Sequence, residues 1–165
     1  MNHLSLTTPV GDMLVATDGQ DITEVRFLQD KYFPQASVFE RQFGAYDAKH
    51  GLLNECKAQL NRYFNGTLQH FTLPLSPQGT AFQQSVWQAI LQVNFGEAQS
   101  YAKLAHSIDK PSAVRAVGGA VGRNPIAVII PCHRILGQSG AITGYAAGLT
   151  IKRHLLALEK IKYHE

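Results

Sequence analysis

The chain has 165 residues, a length typical of one domain or of two small ones. Its hydrophobic fraction of 45% and charged fraction of 16% exclude a disordered or fibrous protein. No apolar run reaches the roughly 18 residues that span a bilayer, and the start lacks the features of a signal peptide, so we expect a cytoplasmic protein without membrane contact.

The charge is distributed unevenly along the chain. Residues 1–99 hold six Lys or Arg against nine Asp or Glu, whereas residues 100–165 hold nine against three. The second part is therefore basic and is a candidate surface for a polyanion, although short basic segments are also common on ordinary solvated surfaces.

The first third of the chain reads as a small sheet followed by a helix. Alternating apolar residues predict strands over 4–7, 13–17 and 22–27, joined by Gly- and Asp-containing turns, which is the pattern of an antiparallel meander. Apolar residues at helical spacing predict a helix over 49–64 with Cys56 on its buried side. These elements predict an α/β N-terminal domain, and Cys56 is expected to be a core residue.

A segment rich in Pro and Gly, residues 66–79, has little periodicity and is the best candidate for a linker. We therefore expect two domains, a small α/β domain at 1–76 and a second domain at 77–165. Thr80 is a suitable N-cap for the first helix of the second domain, which ends near Gly96.

Two further helices are predicted in the second domain, one over about 100–107 and one over 112–121 with Pro111 in its first turn. Three short helices with a tight turn between the last two favour a mainly α, winged-helix or helix-turn-helix domain. The third helix has almost no bulk on the side of Ala116, Gly119 and Ala120, so DNA or another helix must approach its backbone closely. The phosphate-binding glycine motifs are absent, which argues against a nucleotide loop.

The next segment, 126–130, is predicted to be a buried strand that ends at Pro131, with Cys132 just beyond it. Neighbouring strand residues point to opposite faces, so Cys132 and His133 can act together only if the chain turns or a water bridges them. An imidazole oriented by a carboxylate can convert a thiol into a nucleophilic thiolate.

The carboxylate that could orient the imidazole is not decided by spacing. Three acidic residues follow residue 97, namely Asp109, Glu159 and Glu165. Glu159 lies at the end of an apolar helical segment, where a buried acid would require a partner.

Five short segments, taken together and in this order, resemble the O6-alkylguanine-DNA alkyltransferases. They are RAVGGA at 115–120, NP at 124–125, PCHR at 131–134, GY at 144–145 and LLALE at 155–159. The resemblance covers about residues 80–160, while the N-terminal half matches only in its expected style, a small α/β domain. No cysteine cluster supports a zinc site.

This resemblance implies a stoichiometric DNA repair protein that needs no metal and no cofactor. Cys132 would accept the alkyl group from O6 of guanine, His133 would act as its base through a water, and Glu159 would hold the imidazole. Because the resulting thioether has no easy exit, each molecule would react once.

The resemblance also implies how DNA is bound. Arg115 would enter the base stack and replace a flipped nucleotide, Tyr101 would crowd the neighbouring phosphate and assist the leaving base, and Asn124 would tie the end of the helix to the active-site turn. The small residues that would press into the minor groove are Ala116, Gly118, Gly119 and Ala120.

The base pocket implied by the resemblance consists of the ring of Tyr145 and the backbone amide of Ala146. The partner would be double-stranded DNA that contains O6-alkylguanine, bound by a protein that is monomeric before DNA is added. Four further basic residues are candidates for phosphate contacts, namely Lys103, Lys110, Arg123 and Arg134.

Two other functions compete with alkyl transfer. A winged-helix module or alkyltransferase-like sensor would bind lesions without chemistry, but such sensors lack the acceptor cysteine. A Cys-His-Glu hydrolase would need an oxyanion hole and would leave the helix-turn-helix unexplained.

Overall fold

The computed structural model describes all 165 residues and divides into two compact units. The first unit consists of Met1–Pro77 and Pro125–Ile129, and the second of Gln78–Asn124 and Ile130–Glu165. None of the helices is both long and apolar enough to cross a membrane.

The first unit contains a four-stranded sheet in the order β3-β2-β1-β4. The first three strands, β1 (Asn2–Thr8), β2 (Gly11–Thr17) and β3 (Ile22–Phe27), are antiparallel neighbours, as the alternation predicts. A short fourth strand, β4 (Ala45–Tyr46), pairs with β1 in parallel. The meander is therefore confirmed, but the sheet is mixed at one edge.

Two helices accompany this sheet. The helix α2 (Gly51–Phe64) buries Cys56 together with Leu53, Leu60 and Tyr63, as its spacing predicts. Burial, with the nearby charge of Glu55, raises the pKa of Cys56 to about 12, so this thiol is unreactive at neutral pH. The helix α1 (Ala36–Phe43) was not predicted from the sequence. Within it, the rings of Phe39 and Phe43 pack with their centroids 5.0 Å apart.

The prediction of a strand over 126–130 is wrong. Only Ile126 forms a bridge, to Val25 of β3, and Val25 exchanges hydrogen bonds with Pro125 and Ala127 at 2.9 and 2.8 Å. Val128 then has φ +71°, a left-handed conformation that is strained for a β-branched residue, and it sits in a three-residue turn closed from Ile129 to Ala127. Sequence periodicity does not show such a turn inside an apolar run.

The second unit is mainly helical. Its helices are α3 (Ala81–Ile90), α4 (Tyr101–Ser107), α5 (Val114–Gly122) and α6 (Leu149–Leu158), and its short parallel strands are β5 (Gln99–Ser100) and β6 (Ile135–Leu136). Thr80 caps α3 in a capping box with Gln83, and Ser100 caps α4. This is the helical architecture predicted for the C-terminal half.

The helix-turn-helix consists of α4 and α5. Pro111 precedes α5 rather than occupying its first turn, because the turn continues through Asp109, at φ +60°, to the N-cap residue Ala113. The indole Nε1 of Trp87 on α3 donates to the carbonyl of Ala120 at 2.9 Å. That bond fixes α5 against α3 on one side and leaves its opposite side exposed.

Candidate active site

The chain turns sharply at Cys132. Its amide donates to the carbonyl of Ile130 at 2.8 Å across Pro131, whose φ of −82° and ψ of 62° are those of an inverse γ-turn. A single turn of 3₁₀ helix, Cys132–Arg134, follows at once. The expected arrangement of a cysteine just past a strand is thus replaced by two consecutive turns, and Cys132 is buried, with 7% of the residue exposed.

His133 and Glu159 form a hydrogen-bonded pair inside the second unit. Nε2 of His133 donates to Oε2 of Glu159 at 2.5 Å, and both side chains are fully buried. Glu159 stands at the C-cap of α6, so the helix end places its carboxylate, and its Oε1 also accepts the amide of Gly96 at 3.1 Å.

Arg134 completes this network. Its Nε and Nη2 donate to the two carboxylate oxygens of Glu159 at 2.7 and 3.2 Å, and its Nη1 donates to the carbonyl of Val93 at 2.6 Å. The bidentate geometry compensates the buried carboxylate. Because Arg134 is only 6% exposed and is engaged here, the suggestion that it contacts phosphate is wrong.

The network sets the ionisation of both partners. Burial lowers the pKa of His133, and the charges of Arg134 and Lys152 add to that effect, while Glu159 opposes it. Burial acts to raise the pKa of Glu159, but His133 and Arg134 outweigh it and hold that pKa at about 2. At neutral pH the site therefore combines a neutral imidazole with an ionised carboxylate.

The other two acidic candidates do not reach His133. Glu165 pairs with Arg153 at 2.8 Å on the surface, and Asp109 is exposed in the turn before α5. Tertiary packing thus selects Glu159 among the three carboxylates that the sequence leaves open.

Asn124 lies at the end of α5 and is buried. Its side-chain amide donates to the carbonyl of Ile130 at 2.7 Å, at the residue where the chain re-enters the second unit before the Cys132 turn. The helix end and the active-site turn are joined by this bond, which is the connection that the resemblance implies.

Tyr101, the first residue of α4, lies beside α5 and close to the loop that precedes Tyr145. Its hydroxyl is 2.9 Å from Oγ1 of Thr143, and its ring is about 3.8 Å from the point where a Cβ on Gly118 would stand. Burial raises the pKa of Tyr101, so the phenol stays protonated. Tyr145 and Ala146 are half-buried in the same loop.

The part of α5 that carries Ala116 and Gly119 is open, whereas Ala120, which the sequence analysis places on the same side, is buried against α3. Arg115, Ala116 and Gly119 are exposed, and a Cβ added to Gly119 would meet nothing within 4 Å. The sequence left open whether DNA or another helix approaches the backbone of this helix. At Gly119 no other helix of the chain does so, and this surface is available to a ligand. No group of three or more His, Cys, Asp or Glu is arranged to hold a metal ion.

Comparison with known proteins covers nearly the whole chain. Residues 81–161 match the DNA-binding domain family of 6-O-methylguanine DNA methyltransferase, and residues 3–77 match the ribonuclease-like domain family of the same protein. The chain belongs to the O6-methylguanine DNA methyltransferase family.

Individual relatives agree with this assignment. A Haemophilus influenzae methylated-DNA–protein-cysteine methyltransferase is 45% identical over 157 residues, which are 94% of this chain and 84% of the relative. The crystal structure of the Mycobacterium tuberculosis O6-methylguanine methyltransferase is 41% identical with a TM-score of 0.85, covering 96% and 92% of the two chains. A second structure, of Mycobacterium tuberculosis OGT in complex with DNA, is 39% identical with a TM-score of 0.85 and covers 97% and 93%.

Three residues that the structure places in the candidate site were missed as site residues by sequence reasoning. They are Arg134, Thr143 and Lys152. A signal for Lys152 exists, because Lys152, Leu155, Leu156 and Glu159 follow the i, i+3, i+4, i+7 spacing of one buried helix face. No local pattern points to Thr143, whose contact with Tyr101 spans 42 residues.

Proposed function

We propose that this methyltransferase repairs duplex DNA by moving an alkyl group from O6 of a guanine to Sγ of Cys132, once per molecule and after flipping the base through the minor groove. One observation carries the choice of acceptor. Of the two cysteines, Cys56 is sealed in the first unit with a raised pKa, whereas Cys132 immediately precedes the buried His133–Glu159 pair.

The proposed reaction is an in-line displacement at the alkyl carbon. His133 takes the thiol proton through a water, the Cys132 thiolate attacks, and the S–C bond forms as the C–O6 bond breaks. The electron pair of the broken bond goes to guanine, which takes up a proton. Because the pKa of His133 is lowered by burial, its imidazole is neutral and able to accept a proton, and Glu159 orients it.

Three residues would bind the flipped base. Tyr101 would donate a hydrogen bond to the leaving guanine, since its raised pKa keeps the phenol protonated. The ring of Tyr145 would form one wall of the pocket, and the amide of Ala146 would donate to O6. Support comes from the position of Tyr145 and Ala146, which lie two and three residues after Thr143, the loop residue whose hydroxyl is bonded to Tyr101.

The proposed DNA interface is the exposed side of α5. Its small residues Ala116, Gly118 and Gly119 would let the backbone approach the minor groove, and Arg115 would fill the space left by the flipped base. Extrusion costs a few kcal/mol, so a residue that occupies the vacated stack contributes directly to binding. Asn124 would keep the end of this helix in register with the Cys132 turn.

The deciding experiment measures where the alkyl group goes. The protein is incubated with duplex DNA that carries O6-methylguanine, and the masses of the intact chain and of its Cys132 peptide are measured by mass spectrometry. We expect the mass of one CH₂ to appear on that peptide, with no turnover beyond one equivalent. Cys132→Ser should lose transfer while retaining DNA binding, and Cys56→Ala is the matched control.

Other results would point elsewhere. Unmodified protein that still binds the lesion would indicate a sensor, and repeated turnover would indicate hydrolytic chemistry. The flipping step is tested with Arg115→Ala, which should slow repair of duplex DNA more than repair of a single strand. Equal rates of wild type and variant on the duplex would remove Arg115 from the proposal.

Two parts of the proposal concern the state of the protein. The protein is a monomer before DNA is added, and sedimentation of the free protein tests this. It acts in the cytoplasm, and microscopy of a tagged chain tests that location.

A further inference from the structure

Lys152 is a buried cation in the second unit. It lies on α6 with no exposed side-chain surface, and it takes part in none of the ion pairs of the chain. Removing an ammonium group from water costs several kcal/mol unless other groups compensate it. A lysine in this position therefore requires a specific explanation.

Backbone carbonyls provide part of the compensation. Nζ of Lys152 donates to the carbonyls of Ile135 at 2.8 Å, Thr143 at 3.3 Å and Gly144 at 3.4 Å. An ammonium group has three N–H donors, and each has an acceptor here. Ile135 directly follows the Cys132–Arg134 turn, while Thr143 and Gly144 directly precede Tyr145, so Lys152 joins the two segments that carry the acceptor and the base pocket.

Cys132 acts on the same ammonium group when its thiol is ionised. Burial lowers the pKa of Lys152 to about 8, and the negative charge of the Cys132 thiolate opposes this shift. The charge of Lys152 also adds to the lowering of the pKa of His133. Such interactions are reciprocal, so an ammonium favoured by the thiolate favours the thiolate equally.

The other titratable groups around Cys132 do not supply this charge. Arg134 is compensated by Glu159, burial keeps His133 neutral, and Tyr101 stays protonated. Lys152 is thus the cation whose charge no carboxylate offsets.

We propose that Lys152 is a positioning residue for the transfer reaction, because its buried ammonium clamps the Cys132 turn to the Tyr145 loop and stabilises the Cys132 thiolate. This inference rests on the proposed function only in taking Cys132 as the acceptor. It adds a source of activation beyond the His133–Glu159 pair, and it explains why a charged residue occupies an apolar helix face.

The test uses the free protein, without DNA. Iodoacetamide alkylates thiolates, so its rate at the Cys132 peptide is followed against pH for wild type, Lys152→Met and Lys152→Gln. We expect the apparent pKa of Cys132 to rise by about one unit in both variants, with an approximately tenfold slower rate at neutral pH. Lys162→Met, which removes an exposed charge from the same unit, is the matched control and should shift the profile much less.

Glutamine separates charge from hydrogen bonding, because it can still donate to the carbonyls. A wild-type profile in Lys152→Gln would overturn the electrostatic role and leave only a structural one. Methyl transfer from DNA is measured in parallel. If the Lys152 variants keep the wild-type iodoacetamide profile while the wild-type protein transfers the methyl group to Cys132, this inference alone is refuted. If the variants show the expected shift of the profile but the wild-type protein transfers no methyl group, the proposed function alone is refuted.

A second measurement does not depend on the folding of the Lys152 variants. The ¹³Cε resonance of Lys152 is titrated in wild type and in Cys132→Ser, which lacks the thiolate. We expect the pKa of Lys152 to fall below its wild-type value of about 8. An unchanged pKa would show that the two side chains are not coupled and would overturn the proposal.

Discussion

The hydroxyl groups of Tyr101 and Thr143 lie 2.9 Å apart and connect the start of α4 to the loop that carries Tyr145. The bond orients a phenol that is largely buried. It also links two segments that the sequence separates by 42 residues.

Thr143→Val keeps the shape of the side chain but removes the partner of Tyr101. A neutral hydrogen bond contributes about 0.5–1.5 kcal/mol, so we expect methyl transfer to slow by roughly twofold to tenfold. The single-turnover rate on duplex DNA containing O6-methylguanine is the measurement. Thr143→Ser retains the hydroxyl and should keep most of the rate; equal slowing in both variants would contradict a role for this bond.

Glu159→Gln tests the charge of the buried carboxylate. The pKa of Glu159 is held at about 2 in the folded protein, below its ordinary value of 4.5, so ionised Glu159 stabilises the fold above pH 4.5. That contribution, on the order of 3 kcal/mol, should be lost as the pH falls from about 4.5 to about 2. Urea unfolding at a series of pH values measures it.

The comparison of the two proteins supplies the check on this prediction. The difference in unfolding free energy between wild type and Glu159→Gln should be largest above pH 4.5 and should shrink toward pH 2. A difference that does not depend on pH would mean that the charge of Glu159 is not what stabilises the site.

Arg134→Met leaves the carboxylate of Glu159 without its bidentate partner. Breaking a buried ion pair by removing one member typically costs about 3–5 kcal/mol, so we expect a loss of that size in the free energy of unfolding. Arg153→Met is the matched control, because its pair with Glu165 is exposed, and it should leave the unfolding midpoint almost unchanged. Similar losses in both variants would refute the distinction.

Gly119→Ala separates stability from DNA binding. Because a Cβ at Gly119 meets nothing within 4 Å and the residue is inside α5, alanine should stabilise the helix by about 0.5–1 kcal/mol. The same methyl group would stand between the helix and a minor groove, so affinity for duplex DNA should fall. Thermal unfolding and a DNA titration measure the two effects.

Gly51→Ala provides the control for that experiment. Gly51 begins α2 in the other unit and also has open space at its Cβ position. Its replacement should leave DNA affinity unchanged. An unchanged affinity in Gly119→Ala as well would argue against docking through this side of α5.

Local patterns in the sequence were sufficient for most of the elements. The three strands of the meander, α2 and the helices after Thr80 and Ser100 follow from periodicity and capping residues, because those signals depend on neighbours within one or two turns. The helix α1 and the strand β4 lack such signals. Instead, α1 is stabilised by the aromatic packing of Phe39 and Phe43, and β4 by its pairing with β1.

The motif around Cys132 could be recognised from the sequence, but its geometry could not. An apolar run at 126–130 reads as a strand, whereas the chain makes a bridge at Ile126, a strained turn at Val128 and a second turn across Pro131. The bridge at Ile126 pairs with Val25 of β3, about 100 residues away in sequence, and no local propensity encodes that pairing.

The amino-acid sequence by itself determined the family, the candidate acceptor Cys132 and the helical character of the second unit, since these reside in short ordered segments and local spacing. Only the tertiary structure decided that Glu159, and not Asp109 or Glu165, meets His133, that Arg134 lies inside the network, and that Lys152 is buried. The physical reason is that hydrogen bonds and ion pairs between distant segments depend on where the folded backbone places each side chain, which local periodicity does not specify.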